Sequence, residues 1–377
     1  MNICIVNCFD TWEHRVDLLY KFFTEMGHTV KVLVSDYRHI EKCRRTDRKK
    51  DYKLFSALPY TRNISIKRLK SHKQTAENIF DFIKKHESRI DLLWVLAPPN
   101  IFVKHAGHIK QCYSHIKLVI DLIDLWPESM PVRGIKEIAS FTCWKKLRDD
   151  FLKYADIIVT ECDLYHDVMK KPLRQLTVMT LYLAREDKGY QSELNLPSKE
   201  IALCYLGSIN NIIDINCIVD IVRQYRTESP VTLHIIGDGE KRSQLIHKIQ
   251  STGAKVIYHG KIYDRAQKQK IFDACHYGLN IMKPSVCVGL TMKSIDYLEF
   301  GLPIINNIPG DTWNAVEAYN LGMNYKEGIS LQNTLYKPVY RKNARTYFEN
   351  YLTQAAFSKK LFEIVEILNI SQGMMEE

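Results

Sequence analysis

The chain has 377 residues, of which 46% are hydrophobic, and a formal net charge of +10. This length exceeds one ordinary domain and predicts two, each with its own core. No run of about 18 apolar residues occurs, and the first residues lack a basic segment before a cleavage site, so we expect neither a membrane-spanning helix nor a secretory signal. The ten cysteines contain no C-x-x-C pair and lie mostly in apolar runs, which favours a cytoplasmic protein without a zinc site.

Positive charge is concentrated in the first half of the chain. The segment 41–53 holds seven Lys or Arg against three acids, and five more basic residues follow up to Lys73. We call this the basic 41–73 region. It could attract an anionic membrane surface or a phosphorylated substrate, or it could be an ordinary solvated loop. The basic run lacks the pattern of interleaved aromatic residues that forms a stacking platform, so we do not expect a nucleic-acid partner.

The first half of the chain alternates predicted strands and helices. It opens with a strand, "NICIVNC", an amphipathic helix, "VDLLYKFFTEM", and a second strand, "HTVKVLVS". Three more strands follow, separated by helical segments: "RIDLLWVLAPPN", "HIKLVIDLID" and "YADIIVTECD". Regular alternation of this kind predicts a parallel sheet covered by helices.

A second series begins near residue 200 and repeats the architecture without repeating the sequence. Its predicted strands are "EIALCYLGS", "VTLHIIGDG", "AKVIYHG" and "YGLNIMK". We predict an N-terminal Rossmann-like domain at 1–190 and a C-terminal Rossmann-like domain at 191–349. We also predict that 350–377 forms a C-terminal helix that packs back on the first domain. Doubly wound sheets bind ligands at the carboxyl ends of their strands, so we expect the chemistry in a cleft between the domains.

The segment 286–307, "VCVGLTMKSIDYLEFGLPIINN", predicts a loop, a helix of about three turns starting near Leu290, and a strand. A helix start offers unpaired amides and partial positive charge, which suit a diphosphate. Lys293 lies in the first turn, and Asp296 lies one turn deeper, where it could accept ribose hydroxyls. On spacing alone, an exposed lysine paired with Asp296 is the alternative.

The stretch "LTMKSIDYLEFGLPIINN" resembles the donor-binding segment of the retaining GT-B glycosyltransferases of the large bacterial surface-polysaccharide family, the group 1 glycosyltransferases. A second stretch, "VIDLIDLWPES" (119–129), resembles the branch that acts in capsule, O-antigen and colanic-acid synthesis. Weaker matches such as "YLGSINNIIDI" extend the likeness over most of the chain. The resemblance implies a GT-B fold, with two Rossmann-like domains facing a central cleft.

The resemblance, read together with the local patterns, yields three sets of candidate residues. The predicted donor-binding residues are Gly207, Ser208, Gly260, Lys261, Gly289, Leu290, Thr291, Lys293 and Asp296. The predicted acceptor-binding residues are Phe9, Asp10, Arg15, Trp126 and Glu128. Lys293 and Asp124 are the catalytic candidates, as leaving-group stabiliser and as the group that orients or deprotonates the acceptor. Carboxylates that only cap the turn are the alternative for Asp124 and Glu128.

Several departures from the family pattern bear on activity. Val288 occupies the first position of the family's glutamate pair, and the first loop, "NCFDTWEHR", lacks the family's glycines. The basic residue usual after the phosphate-loop glycine is replaced by Ser208-Ile209-Asn210. No D-x-D motif occurs, so we expect no metal and no other cofactor.

The resulting hypothesis is transfer of a hexosyl residue from a nucleotide-diphosphate sugar, with a UDP-sugar favoured and configuration retained. The acceptor would be a glycan or a lipid-linked glycan in bacterial surface-polysaccharide or glycoconjugate synthesis. The site would then lie in the cytoplasm or at the inner face of the cell membrane. Two alternatives are a non-catalytic GT-B-like subunit of a transferase complex and a nucleotide-sugar 2-epimerase. The sequence does not indicate an oligomeric state.

Overall fold

The computed structural model describes residues 1–46, 49–63, 65–130, 139–189, 191–331 and 336–370. It divides into two compact units, Met1–Leu183 together with the chain from Phe357, and Ala184–Ala356. Residues 47, 48 and 64 of the basic 41–73 region and residues 371–377 of the predicted terminal segment lie outside the described residues.

The first unit contains a seven-stranded parallel sheet in the order β5-β2-β1-β6-β7-β8-β9 and a small antiparallel pair, β3-β4. The strands are β1 (Asn2–Asn7), β2 (Thr29–Ser35), β3 (Tyr37–Arg38), β4 (Cys43–Arg44), β5 (Tyr52–Phe55), β6 (Leu92–Ala97), β7 (Lys117–Leu122), β8 (Ile157–Thr160) and β9 (Val178–Thr180). The helices are α1 (Glu13–Glu25), α2 (Ile66–Lys85), α3 (Asn100–Cys112), α4 (Ala139–Asp149) and α5 (Leu164–Val168).

The second unit contains a six-stranded parallel sheet in the order β12-β11-β10-β13-β14-β15. Its strands are β10 (Ile201–Leu206), β11 (Val231–Ile236), β12 (Lys255–Gly260), β13 (Tyr277–Asn280), β14 (Ile304–Asn306) and β15 (Gly322–Asn324). Its helices are α6 (Ile215–Arg226), α7 (Arg242–Gln250), α8 (Arg265–Asp273), α9 (Met292–Glu299), α10 (Asp311–Tyr319) and α11 (Val339–Tyr351), while α12 (Gln354–Ile367) continues into the first unit.

The central strands are covered on both faces. Every residue of β6 and β13 is buried, as expected for parallel strands packed between two helix layers. In both sheets the order reverses beside the first strand, between β1 and β6 and between β10 and β13. Such a reversal opens a crevice at the carboxyl ends of the strands, which is where sheets of this kind bind ligands.

The α/β class with two parallel sheets is confirmed, and some element boundaries are corrected. Helix α9 has eight residues, about two turns, and begins at Met292. The terminal segment forms two helices, and the Phe22 ring of α1 packs against Phe362 of α12 at 4.9 Å between centroids. Edge strands β5, β9 and β15 and the β3-β4 pair were not anticipated by the sequence patterns.

Candidate active site

In the second unit, two glycine-bearing loops meet at the carboxyl ends of β10 and β11. A Cβ atom at Gly237 would lie 2.0 Å from the Gly207 carbonyl oxygen, and one at Gly239 would lie 2.4 Å from that of Ile209. Gly207 itself has φ +123° and open space where a side chain would be. The close approach requires glycine at 237 and 239, and the open space leaves the Gly207 backbone accessible to a ligand.

Helix α9 is fixed to the sheet by a buried tyrosine. The Tyr297 hydroxyl accepts the Leu206 amide at 2.6 Å and lies 3.2 Å from the Cys204 carbonyl, which it can donate to. Its ring packs so closely on Gly278 of β13 that a Cβ there would lie 2.7 Å away. The start of α9 is therefore held beside the carboxyl end of β10.

A ladder of three asparagines, two of them buried, supports the start of α9. Asn280, Asn306 and Asn324 are register partners on β13, β14 and β15, and their side chains hydrogen-bond in series at 2.8 and 2.9 Å. The Thr291 hydroxyl donates to Asn280 Oδ1 at 2.8 Å. Thr291 also forms a capping box with Ser294, which fixes the first turn. This ladder was not predicted from the sequence, although each of the three strands ends in Asn.

Lys293 is buried at the second position of α9, with 8% of its surface exposed. Its Nζ lies 3.5 Å from the Ile281 carbonyl oxygen and 4.9 Å from the centroid of the Tyr205 ring. Within the described part of the chain no carboxylate forms an ion pair with it, and burial lowers its pKa to about 8. The alternative of an exposed lysine paired with Asp296 is wrong.

The amides at the start of α9 add to this positive site. The capping box uses the amides of Thr291 and Ser294, while those of Met292 and Lys293 have no acceptor among the described residues. Free amides and the helix dipole favour an anion at this end of the helix. Burying an ammonium group without a counter-ion lowers the stability of the folded state, and an anionic ligand would offset that loss.

Asp296 lies one turn further along α9 between two cations. Its carboxylate oxygens are 3.7 Å from Arg185 Nη2 and 3.7 Å from Lys268 Nζ. The side chain keeps 21% of its surface exposed, so a ligand hydroxyl can still reach it. Neither cation was among the predicted site residues, because Arg185 lies 111 residues before Asp296 and no local motif marks it.

The remaining predicted donor residues divide by accessibility. Ser208 and Lys261 are exposed, and Gly260 is the last residue of β12, with φ +72° and open space at its Cβ position. Gly289 and Leu290 are buried in the loop before α9, where the Gly289 carbonyl accepts the Thr312 amide at 2.9 Å. Gly207, Gly260 and Lys293 therefore lie in one unit, at the carboxyl ends of its strands or on α9 beside them.

In the first unit, Asp124 lies two residues beyond the end of β7. Its Oδ2 accepts the Trp126 indole N–H at 2.8 Å, and burial raises its pKa despite this hydrogen bond and those from Ser129 and the Leu125 amide. A carboxylate with a raised pKa at the carboxyl end of a central strand fits a proton-accepting role. Its partners also leave the alternative of a turn-stabilising carboxylate open.

Glu128 is held by a buried arginine. Arg148 donates to it at 2.7 and 3.1 Å, and Lys145 Nζ lies 3.1 Å away. Trp126 is 9% exposed, and its carbonyl accepts Arg148 and Asn100. The Glu128 oxygens are thus largely occupied within the protein, so the turn-stabilising interpretation fits Glu128 better than acceptor binding.

The prediction that Arg15 binds the acceptor is wrong. Arg15 is 1% exposed, and it donates through Nε and Nη2 to Asp121 at 2.8 and 2.7 Å and through Nη1 to the Leu181 carbonyl. Asp121 is fully buried and also accepts the Trp94 indole N–H. Arg15 therefore stabilises the centre of the first sheet and has no surface to offer a ligand.

Phe9 is likewise a packing residue, 2% exposed, with its ring against Trp12, His39, His72 and Trp126. Asp10, in the short helical turn after β1, accepts the His39 amide at 2.8 Å. These contacts tie the first loop to the segment after β3, which explains how it is ordered without the family's glycines.

Part of the basic 41–73 region is neutralised locally. Arg44 pairs with Asp36, Arg45 pairs with Glu13, and Lys49 lies 2.9 Å from Asp17. The field that this region projects is consequently weaker than the charge count suggests. No helix in the described residues has the length and hydropathy needed to cross a bilayer.

No protein-family model matches the sequence, and no curated protein is significantly similar to it. Solved structures match over nearly the whole chain. Sucrose-phosphate synthase from Thermosynechococcus elongatus has a TM-score of 0.69 at 12% identity, covering 98% of this chain and 99% of that one. The lipopolysaccharide outer core galactosyltransferase WaaB has a TM-score of 0.66 at 14% identity, covering 97% and 99%.

A third similar structure is Anabaena HepE in complex with UDP, with a TM-score of 0.66 at 13% identity, covering 97% of this chain and all of that one. HepE has also been solved with UDP-glucose. At these identities the likeness shows the fold, and the chain has the GT-B fold of glycosyltransferases. The activity has to be argued from the site.

Proposed function

We propose that the protein is a metal-independent glycosyltransferase that moves a hexosyl residue from a nucleotide-diphosphate sugar, with UDP-sugar favoured, to a glycan or lipid-linked glycan acceptor. The observation that carries the proposal is Lys293, a buried cation at the start of α9 whose burial no described carboxylate compensates. The fold and the binding of UDP and UDP-glucose by HepE are consistent with a nucleotide-sugar donor.

The donor half of the reaction follows from the second unit. The Lys293 ammonium and the free amides of Met292 and Lys293 would hold the diphosphate and stabilise the charge that develops as it leaves. Gly207 would let the backbone approach a phosphate oxygen, and Asp296 would accept ribose hydroxyls. Removing one such stabilising group typically lowers kcat by about 10²–10³.

The acceptor half is assigned to Asp124 of the first unit. Its raised pKa makes it a better proton acceptor than an ordinary aspartate, and its hydrogen bond to Trp126 fixes its orientation. We propose that it orients or deprotonates the acceptor hydroxyl, which attacks the anomeric carbon with retention of configuration. The setting would be surface-polysaccharide or glycoconjugate synthesis at the cytoplasmic face of the membrane.

The test is thermal stabilisation by UDP-, GDP-, ADP- and dTDP-sugars with EDTA present, because a ligand that binds only the folded state raises the Tm. We expect one donor class to raise it, and Lys293→Ala to abolish the shift. Lys270→Ala, which removes an exposed lysine from α8, is the matched control and should behave as wild type.

Each alternative function has its own result. If no nucleotide sugar shifts the Tm, the catalytic proposal fails and a non-catalytic subunit becomes the better explanation. If a donor binds and is converted to its C2 epimer without an acceptor, the protein is an epimerase. A shift that EDTA abolishes and Mg²⁺ restores would overturn metal independence.

A further inference from the structure

The first unit contains an apolar pocket of about 290 Å³. Of the predicted site residues, Trp126 alone lines it. We call it the Arg68 pocket. Its walls are Asn63, Ser65, Ile66, Arg68, Leu69, His72, Trp126, Met130, Phe141 and Trp144. The volume is near the lower limit for small-molecule sites, about 300 Å³, so the pocket suits one part of a larger ligand.

Arg68 is a buried cation with neutral partners. It is 7% exposed, and its guanidinium carbon lies 4.4 Å from the Trp126 ring centroid. Nη1 donates to the Asn63 carbonyl at 2.7 Å, and Nε donates to His72 Nε2 at 3.3 Å. No carboxylate in the described ranges lies within ion-pair distance of it, and burial lowers its pKa although Tyr60 and, more weakly, the charge of Asp124 act in the opposite direction.

A second cation converges on the same residue of the pocket wall. Lys42 Nζ donates to Asn63 Oδ1 at 2.6 Å and lies 5.0 Å from the Tyr60 ring centroid. Lys42 has φ 57°, a left-handed conformation that non-glycine residues rarely adopt, so its placement is strained. Burial and then the charge of Arg68 lower the Lys42 pKa, which indicates that the two cations repel.

His72 adds an unused hydrogen-bonding group. It is 3% exposed, and its Nδ1 is buried without a partner among the described residues. Burial lowers its pKa well below the usual range, so the ring is neutral at pH 7. Because Nε2 accepts from Arg68, we assign the ring proton to Nδ1, which leaves a buried donor without an acceptor.

The opposite wall is apolar and partly open to solvent. Leu69 and Ile66 are 47% and 74% exposed at the start of α2, and Trp144 and Phe141 of α4 also line the pocket. Arg68 lines the pocket and Lys42 is connected to it through Asn63, and cations placed beside such a wall match an amphiphile with an anionic group next to a hydrocarbon chain. Trp126 joins this pocket to Asp124, because its indole N–H donates to that carboxylate.

We propose that the Arg68 pocket binds a lipid phosphate of the acceptor, with the phosphate against Arg68 and Lys42 and the first part of the chain against Trp126, Trp144 and Leu69. This inference rests on the proposed function, because it names the acceptor class and sets its phosphate near Asp124. In this proposal Arg68 and Lys42 bind the acceptor, in place of the predicted Arg15 and Glu128.

The experiment is calorimetric titration of the full chain with decyl phosphate below its micelle concentration, compared with decanol and inorganic phosphate. We expect decyl phosphate to bind at least about tenfold more tightly than either fragment. Arg68→Met should weaken it by about tenfold or more while removing a buried charge that has no acid partner. Leu69→Asp, at a partly exposed position, should weaken it comparably by repulsion.

Lys73→Gln is the matched control, because its side chain is 69% exposed on the same helix and pairs with Glu77; its affinity should stay within about twofold of wild type. Decanol binding as tightly as decyl phosphate, or affinity unchanged in both Arg68→Met and Leu69→Asp, would overturn the inference. If the protein binds anionic vesicles but not decyl phosphate, and all variants bind the vesicles equally, the region is a membrane-binding face. That result would also overturn the inference.

A parallel UDP titration separates the two proposals. Stabilisation by UDP together with no binding of decyl phosphate would remove the lipid-phosphate site and leave the transferase proposal standing. Saturable binding of decyl phosphate without any nucleotide binding would do the reverse.

Discussion

Two buried cations, one in each unit, have opposite surroundings. Arg15 in the first unit is 1% exposed and forms a two-pronged ion pair with the fully buried Asp121. Lys293 in the second unit is 8% exposed, and its ammonium has a carbonyl oxygen and an aromatic ring as its polar neighbours among the described residues. Both lie near carboxyl ends of parallel strands, yet only the first charge is compensated within the protein. Burial alone therefore does not distinguish a structural cation from a candidate ligand-binding one, whereas the absence of a counter-charge among the described residues makes Lys293 the candidate.

The largest expected effect comes from breaking the compensated pair. Arg15→Met leaves Asp121 buried with only the Trp94 indole donor, and we expect a loss of about 3–5 kcal/mol of unfolding free energy. Urea denaturation measures it. The double variant Arg15→Met/Asp121→Asn should recover part of the loss, because no unpaired charge remains. A single variant as stable as wild type would mean that the pair contributes nothing.

Lys293→Met should have the opposite effect on the ligand-free protein. Burial lowers the pKa of Lys293 from 10.5 to about 8. This difference corresponds to a gain in unfolding free energy of at most about 3 kcal/mol when the charge is removed. The folded-state pKa lies below the unfolded one, so the penalty is complete below about pH 8 and disappears as pH rises through 10.5. Urea denaturation at pH 7 and pH 10 should show the gain shrinking at the higher pH. A destabilised variant at pH 7 would indicate that Lys293 is structural.

The smallest effect should appear in the pH dependence of the affinity for UDP. A bound diphosphate favours the charged form of Lys293, so the affinity for UDP should fall as pH rises above about 8, by at most about tenfold per unit. Calorimetric titration from pH 7 to pH 9.5 measures it. Any UDP binding that Lys293→Ala retains at calorimetric concentrations should be independent of pH over this range. An equal decline in both proteins would assign the titration to another group.

The fold was predictable because its signals are local. Buried strands such as β6 read as continuous apolar runs, and the alternation with amphipathic helices indicates parallel sheets. The edge strands β9 and β15 have three residues each, all partly exposed, so they carry neither an apolar run nor a clear alternation. Short strands of this kind form only because a neighbouring strand offers hydrogen-bonding groups.

The candidate site was predictable only where one segment carries it. The stretch around Lys293 holds its cap, its cation and its carboxylate within six residues, Thr291 to Asp296. The partner of Arg15 lies 106 residues away, so a sequence scan could not distinguish a buried ion pair from a ligand contact. The Arg68 pocket was missed for the same reason: its cations and its aromatic wall come from α2, α4 and the loops after β3 and β7.

The return of the chain from the second unit to the first at Phe357 also governs how the protein can be made. The second unit is one continuous stretch, whereas the first also includes α12, which supplies Phe362 against Phe22. During synthesis the first sheet emerges before α12, so the contact between Phe22 and Phe362 forms only after the second unit has emerged.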